Sequence, residues 1–418
     1  MKIDESYSDY MYNFVDTICN KFGPRYSCSN AEREANLWIK EELDKFCDKT
    51  FVDDFETKPA LYPQGLIKIT GFLAGISIIF MPLRYPFPIL SAIFIILGLI
   101  VLYSELVRMK GWIGFLFSNK MSSNVFGIIK PTKEVKFRII FEGHTDSAKV
   151  MNIASYKRKK RQIIAFIGLS FLFYTIIFSI LKFFAQIFDE SSIIFAEWWL
   201  LSWTIIDYLY FIPLILIYPF FILVLRGFLG KTVVLGANDN LSSSAVAVAI
   251  GKYLSENRPE NIEIWIGSQG SEEVGDRGAE AFVEKYGGLG LLDNSYAIVL
   301  ECCGAGDEIL LVEKDMHAAV YNKEINDKIK KAHELVKREN PNILSLKTGR
   351  LIIGACDACR YIHKGYKASA FMGVELGKNK AVNWHSRQDI PENLDTKILM
   401  DFLKISIQIV ELIDNEYA

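Results

Sequence analysis

Two kinds of apolar pattern alternate along this chain. One is short. The segments "FRIIFEG" (137–143), "NIEIWIGS" (261–268), "YAIVLE" (296–301) and "ASAFMG" (368–373) are runs of β-branched and aromatic residues, as long as a buried strand. Between them, "LSSSAVAVAIGKYLSE" and "RGAEAFVEKY" read as helices, and near the start "SNAEREANLWIKEELDKF" offers Ser29 or Asn30 as a helix cap ahead of an apolar stripe of Leu37, Ile39 and Leu43. Strands alternating with helices predict an α/β fold with a mixed, mostly parallel sheet flanked by helices. In such sheets ligands bind beyond the carboxyl ends of the strands.

The second kind of run is long and interrupts this alternation twice. From Leu66 to Val107, two apolar stretches flank a Pro-rich turn holding Arg84, which predicts a transmembrane helical hairpin. Its second half, Pro86 to Val107, has the ~20 residues that a crossing needs. The first half, Leu66 to Met81, is short and relies on Lys68 and Arg84 snorkelling to the interface. A second hairpin is predicted from Gln162–Leu181 and Trp203–Leu225, with Trp198, Trp199 and Trp203 suited to an aromatic belt. These runs are apolar all round, unlike the one-sided stripe of a surface helix; buried core helices are the competing reading. The chain thus divides into one globular domain in three parts, 1–60, 111–161 and 226–418, and two inserted hairpins, 61–110 and 162–225. A domain interrupted in this way must be left and re-entered on one face of the bilayer. Each insertion therefore crosses an even number of times, giving about four spans.

Charge supplies an orientation. Lys68, Arg108, Lys110, Lys120, the cluster "KRKKR" (Lys157 to Arg161), Arg226 and Lys231 flank the spans on the side of the polar segments. The hairpin tips hold only Arg84 and Lys182, with Asp189, Glu190 and Glu197. The positive-inside rule then predicts an integral membrane protein whose globular domain faces the cytoplasm. The basic cluster also suits anionic lipid headgroups, its other reading being a nucleic-acid patch. A hydrophobic content of 51%, a mean hydropathy of +0.19 and a net charge of -2 favour the bilayer as partner and argue against nucleic acid. The seven cysteines, an odd count that includes the adjacent Cys302 and Cys303 and the Cys356/Cys359 pair, fit reduced thiols in a reducing compartment. The start of the chain lacks a basic stretch followed by an apolar core, so no cleaved signal peptide is expected.

The candidate chemistry gathers at the predicted strand ends. "IIFEGHTDS" ends in His144 and Asp146, "VVLGANDNLSSS" places Asp239 before a helix, "IEIWIGSQGSEEVG" supplies Glu272 and Glu273, "YAIVLE" ends in Glu301, and "NWHSRQDIPENLD" holds His385. Singly, each acid has a plain reading as a solvated loop residue or a cap, and for Asp239 or Glu301 alone that reading is the favoured one. Together they place two of the chain's five histidines among acids at strand ends. A Cys356/Cys359 zinc or redox pair is a rival, although two thiols without a second pair make a poor structural zinc site.

In that order and spacing the residues resemble the family-28 metallopeptidases, the two-zinc aminopeptidases and their relatives. "CNKFGPRYSCSNAEREANLWIKEEL" is similar to the opening helices of that family, and "WHSRQDIPENLD" to its closing histidine motif. The resemblance implies two zinc ions, or other divalent metals, bridged by Asp239, with His144 and Glu301 completing one site and Glu273 and His385 the other. It implies Glu272 as general base, Asp146 as the residue orienting His144, and a structural or supporting place for Asp357. Two cations ~3.5–4 Å apart need a shared carboxylate between them, and they polarise a carbonyl while activating water. Many relatives have aspartate where Glu301 stands, have a much shorter interval between the counterparts of His144 and Asp239, and work outside the cytoplasm.

The function this implies is a membrane-anchored, zinc-dependent exopeptidase, an aminopeptidase acting on peptides near the membrane, with no oligomeric state implied. The alternatives are a glutaminyl cyclase or amidohydrolase relative, and a noncatalytic receptor or scaffold on a peptidase-like fold. A transporter is disfavoured because the predicted spans hold few of the ionisable residues that mark a substrate path.

Overall fold

A computed structural model describes residues 3–151, 158–188, 194–215 and 230–418. Lys157, Asp189, Glu190, Arg226 and residues 216–225 of the fourth expected span lie outside the described residues, as do the side chains of Arg158, Arg161, Glu197 and Trp198. The strands are β1 (Lys49–Thr57), β2 (Lys120–Ile129), β3 (Phe137–His144), β4 (Ile194–Trp198), β5 (Leu201–Thr204), β6 (Ile262–Gln269), β7 (Ser295–Glu301), β8 (Glu308–Lys314), β9 (Ser345–Arg350) and β10 (Ala368–Val374). The helices are α1 (Ser6–Phe22), α2 (Asn30–Leu43), α3 (Leu66–Phe80), α4 (Pro88–Leu102), α5 (Arg158–Ile187), α6 (Ile205–Ile215), α7 (Ser242–Glu256), α8 (Arg277–Gly288), α9 (Lys323–Glu339), α10 (Ala358–His363) and α11 (Thr396–Asp414). Two units result: 1–59 with 118–150 and 231–418, and 60–117 with 151–230.

The first unit is built on an eight-stranded sheet of order β1-β2-β6-β3-β7-β10-β8-β9. Its centre, β6-β3-β7-β10, is parallel throughout, β8 and β9 are also parallel, and antiparallel pairs join β1 to β2, β2 to β6 and β10 to β8. The register sets His144 opposite Gln269 and Met372 opposite Glu301, so β3, β6, β7 and β10 finish along one edge.

Alternation along the central strands sorts their side chains onto two covered faces. Ile139, Phe141, Ile264, Ile266, Ile298 and Leu300 enter a core shared with α1, α7 and α11. On the other face Phe126 packs on Phe282 at 4.5 Å between ring centroids, and Trp265 meets Tyr286 edge-on at 5.0 Å, so that α8 is held by aromatic contacts. Ser29 caps α2 by accepting from the Glu32 N–H. Within α2, Ile39 and Leu43 are buried, but Leu37 is 41% exposed, against the expected stripe. Two residues apart on a helix is about 200° of turn, which places Leu37 on the face opposite Ile39.

Among its described residues, the second unit contains three helical stretches long and apolar enough to cross a membrane: Leu61–Phe80, Pro88–Val107 and Gln162–Ile187. The first reaches 20 residues only by including Leu61–Gly65, which is kinked at the extended Tyr62; the unbroken helix α3 has 15 residues, in keeping with the short first run expected. Phe72, Ile79 and Phe166 are more than 60% exposed, as side chains facing lipid would be. In the region of the fourth expected span, Trp203 belongs to the β4–β5 hairpin, and the apolar helix α6 is described from Ile205 to Ile215. Lys182, counted above among the tip charges, is wholly buried. Its Nζ donates to Asp207 Oδ1 at 2.8 Å and to the carbonyls of Met81 and Ser202, while Asp207 Oδ2 accepts from the N–H and hydroxyl of Thr204. The pair is fully satisfied, the condition under which buried charges are tolerated.

Candidate metal centre

The carboxyl edge of the sheet brings the predicted residues into one cluster. His144 is the last residue of β3, Glu301 the last of β7, Glu272 and Glu273 follow β6, and His385 lies in the loop after β10. Asp239 comes from Ala237–Leu241, the turn that leads into α7. Two glycines make this approach possible. A Cβ on Gly143 would sit 2.7 Å from the Ser244 nitrogen, so only glycine lets β3 run against the start of α7. Gly236 turns the chain with φ at +64°, a left-handed conformation that glycine adopts without strain.

Asp239 lies between the two imidazoles. Its Oδ1 is 3.3 Å from His144 Nε2 and its Oδ2 is 3.4 Å from His385 Nε2. On the His144 side stand Glu272 Oε2 at 3.6 Å and Glu301 Oε1 at 3.9 Å; on the His385 side stands Glu273 Oε2 at 3.1 Å. Donor atoms of His144, Asp239 and Glu273 all lie within 4.8 Å of one another, and so do those of Asp239, Glu301 and Cys302. Asp239 is common to both groups.

A surrounding layer of hydrogen bonds holds these side chains. The Asp146 carboxylate takes the backbone N–H groups of Glu272 and Glu273 at 2.9 and 3.1 Å and the Ser27 hydroxyl at 2.5 Å, and its Oδ1 lies 3.5 Å from His144 Nδ1. The same ring nitrogen is 3.1 Å from the Asp146 carbonyl, an acceptor that fixes the tautomer leaving Nε2 free toward Asp239. Asp389 accepts from the backbone N–H groups of Asn238 and Asp239. Asn240 donates to Glu301 Oε2 and to the Leu300 carbonyl. The Arg25 guanidinium, wholly buried, reaches the carbonyls of Gly23, Thr145, Leu235 and Gly236, and Glu32 accepts from the N–H groups of Cys28 and Ser271 beside the paired glutamates.

The electrostatics of this cluster call for a cation. Burial lifts the carboxyl pKa of Glu301 to about 8 and that of Glu272 well above the ordinary range, the latter reinforced by Asp276, Glu273 and Asp357. Glu273 is raised for the same leading reason. Burial opposes charge on His144, but Glu272, Asp146, Asp239 and Glu301 outweigh it and hold the imidazolium well above its usual pKa. Buried Asp239 Oδ2, Glu273 Oε1 and His385 Nδ1 make no hydrogen bond. Unpaired buried polar atoms of this kind cost stability unless something else occupies them. A tetrahedral ion bound at about 2.0–2.1 Å holds its ligand atoms roughly 3.3 Å apart, close to the spacings from Asp239 to both imidazoles. Imidazole and carboxylate donors match zinc, so the residues fit the metal that the resemblance implies.

All seven sequence-predicted site residues therefore meet in one place. Asp357 is buried with both carboxylate oxygens unpaired, and Cys356 pairs with the Tyr321 hydroxyl at 3.1 Å; neither Cys356 nor Cys359 is in the converging donor groups among the described residues. Sequence reasoning assigned no role to Arg25, Glu32, Asn240, Cys302 or Asp389. The available signal was weak: Arg25 and Asp389 sit inside quoted motifs, and Cys302 directly follows Glu301.

Comparison with known proteins agrees with the fold. Residues 224–410 match the model of peptidase family M28, so the likeness to the family-28 metallopeptidases holds. A zinc aminopeptidase from Bacillus subtilis aligns over 97% of this chain and 95% of its own, with a TM-score of 0.56 at 13% identity. A glutaminyl cyclase from Acidobacteriales bacterium covers 100% and 97% with a TM-score of 0.57 at 12% identity, and an aminopeptidase from Aneurinibacillus sp. strain AM-1 covers 97% and 93% with 0.53 at 12%. At such identities the likeness is one of fold. No curated protein matches the chain in sequence.

Proposed function

We propose that this chain is a membrane-anchored, zinc-dependent exopeptidase that removes N-terminal residues from peptides, with its globular domain on the cytoplasmic side. The observation that carries the reading is the Asp239 carboxylate, which presents one oxygen to His144 and the other to His385. In this reading His144, Asp239 and Glu301 hold one ion, and Asp239, Glu273 and His385 hold a second. The ions, when bound, supply Lewis acidity toward the scissile carbonyl and lower the pKa of a water. Glu272 Oε2 takes the proton from the attacking water and returns it to the leaving amine. Asp146 keeps His144 in its tautomer and ties the Glu272–Glu273 backbone to the same carboxylate.

Membrane anchoring is supported by the three long apolar helices, and the cytoplasmic side by the basic residues flanking the spans in sequence. The chain departs for the first segment of the second hairpin soon after His144 and returns shortly before Asp239, which favours substrates held close to a bilayer. The glutaminyl cyclase neighbour keeps a second activity in view, cyclisation of N-terminal glutamine with loss of ammonia. A noncatalytic scaffold is disfavoured, since it would bury these mutually repelling carboxylates with nothing to hold them.

The test is purified full chain in detergent, assayed for bound metal and for turnover of N-terminal aminoacyl and glutaminyl reporters, wild type beside Glu272→Gln. The variant is expected to keep its metal content and lose roughly 10²–10⁴-fold in kcat. Free amino acid as product supports the aminopeptidase, and pyroglutamyl product with ammonia the cyclase. Equal release rates from soluble and membrane-anchored peptides of one sequence would remove the membrane-proximal part of the reading.

A further inference from the structure

We propose that the thiol of Cys302 is itself a ligand of the ion on the Glu301 side of Asp239, which makes that position thiophilic. This rests on the metal reading above. Cys302 is 1% exposed, and its Sγ lies 3.4 Å from Glu301 Oε1. Its sulfur shares the donor group of Asp239 and Glu301, all within 4.8 Å of one another.

The aim of the thiol is set by the backbone. Cys302 has φ at +48°, and its N–H donates to Asn240 Oδ1 at 2.9 Å. The Nδ2 of the same Asn240 side chain donates to Glu301 Oε2 at 3.0 Å. One amide therefore locks the carboxylate and the thiol as a pair. The neighbouring Cys303 is directed elsewhere: it joins the hydrophobic core, and its Sγ meets the Glu301 carbonyl at 3.7 Å. Two adjacent cysteines thus have separate surroundings, one among the acidic donors and one in the core.

When the metal–sulfur bond forms, the Cys302 S–H bond breaks and its proton is released to solvent; no electrons change hands. A thiolate is a soft ligand. It favours zinc and cadmium over the hard ions manganese and magnesium, whereas the remaining carboxylates discriminate little between them.

The experiment is cobalt(II) loading of the metal-free full chain in detergent, read by absorption. Visible d–d bands report occupancy of the centre, and a near-ultraviolet sulfur-to-cobalt charge-transfer band reports a thiolate ligand. Wild type and Cys303→Ser are expected to show both. Cys302→Ser is expected to keep the d–d bands, lose the charge-transfer band, and lose roughly tenfold or more in its preference for cadmium over manganese. The wild-type spectrum decides the matter even if that variant does not fold. The d–d bands alone in wild type would overturn the ligand role, reduce Cys302 to a hydrogen-bond donor to Glu301, and leave the metal reading standing. No cobalt uptake by folded protein would overturn both.

Discussion

Arg25 touches none of the donor atoms, yet its guanidinium ties together the two segments that deliver His144 and Asp239. It bonds the Thr145 carbonyl just beyond β3 and those of Leu235 and Gly236 just before the Asp239 turn. Arg25→Met should leave the buried Thr145 carbonyl without a donor, at roughly 1–3 kcal/mol, while the Leu235 and Gly236 carbonyls keep only the Cys19 thiol and the Leu241 N–H. Denaturant unfolding of the metal-free chain is expected to show that loss. Arg25→Lys should recover little of it, since one ammonium cannot reproduce the forked geometry; full recovery by lysine would show that charge alone matters. The contrast between Arg25 and His144 explains what was legible at this scale. Histidines and acids at strand ends are rare enough to stand out from sequence. Arg25 and Asp389 act through backbone carbonyls and amides more than 100 positions away, and nothing local announces such partners. Cys302 was hidden for another reason: a Cys-Cys pair reads as two equivalent thiols, and only the fold separates them.

Among the elements, β3, β6, β7 and β10 were readable because central parallel strands are apolar on both faces. The sheet's outer strands were not foreseen. β1 carries Asp53 and Asp54, and β9 is the polar "SLKTGR" at the opposite edge, the composition by which exposed edges resist pairing with other chains. In the second unit the long helices follow from hydropathy, but the Lys182–Asp207 pair that joins α5 to the start of α6 does not. Lys182→Met alone strands a buried carboxylate and should destabilise this unit by about 3–5 kcal/mol. Lys182→Met with Asp207→Leu should cost less than the single change, because no lone charge remains. Thermal unfolding in detergent ranks the two, and a double variant worse than the single would show that the pair contributes more than mutual neutralisation.

For the whole molecule, the buried acids make stability depend on pH and metal together. Glu32, Glu301 and Asp389 are lifted to about 8, in each case first by burial. The unfolded chain loses these protons near the ordinary carboxylate values, so the folded chain holds more protons over the interval between, and stability falls as pH rises through it. His144 and His385, also raised, act in the same sense, their contribution being lost as pH climbs through the folded values. Asp239 is lowered, and its opposite contribution is already complete above the ordinary carboxylate value. The melting temperature of chelator-treated protein should therefore drop between about pH 5.5 and 8, and zinc should reverse the drop most strongly at the alkaline end. A flat profile without metal would mean that these acids do not carry the burden assigned to them.

The central claim, a pair of cations sharing the Asp239 carboxylate, is tested most directly by anomalous scattering from zinc-loaded crystals, recorded on both sides of the zinc absorption edge. The account predicts two peaks roughly 3.5–4 Å apart, one reached by His144 and the other by His385, with Asp239 between them. A single peak, or peaks with Asp239 outside the coordination of either, would contradict it.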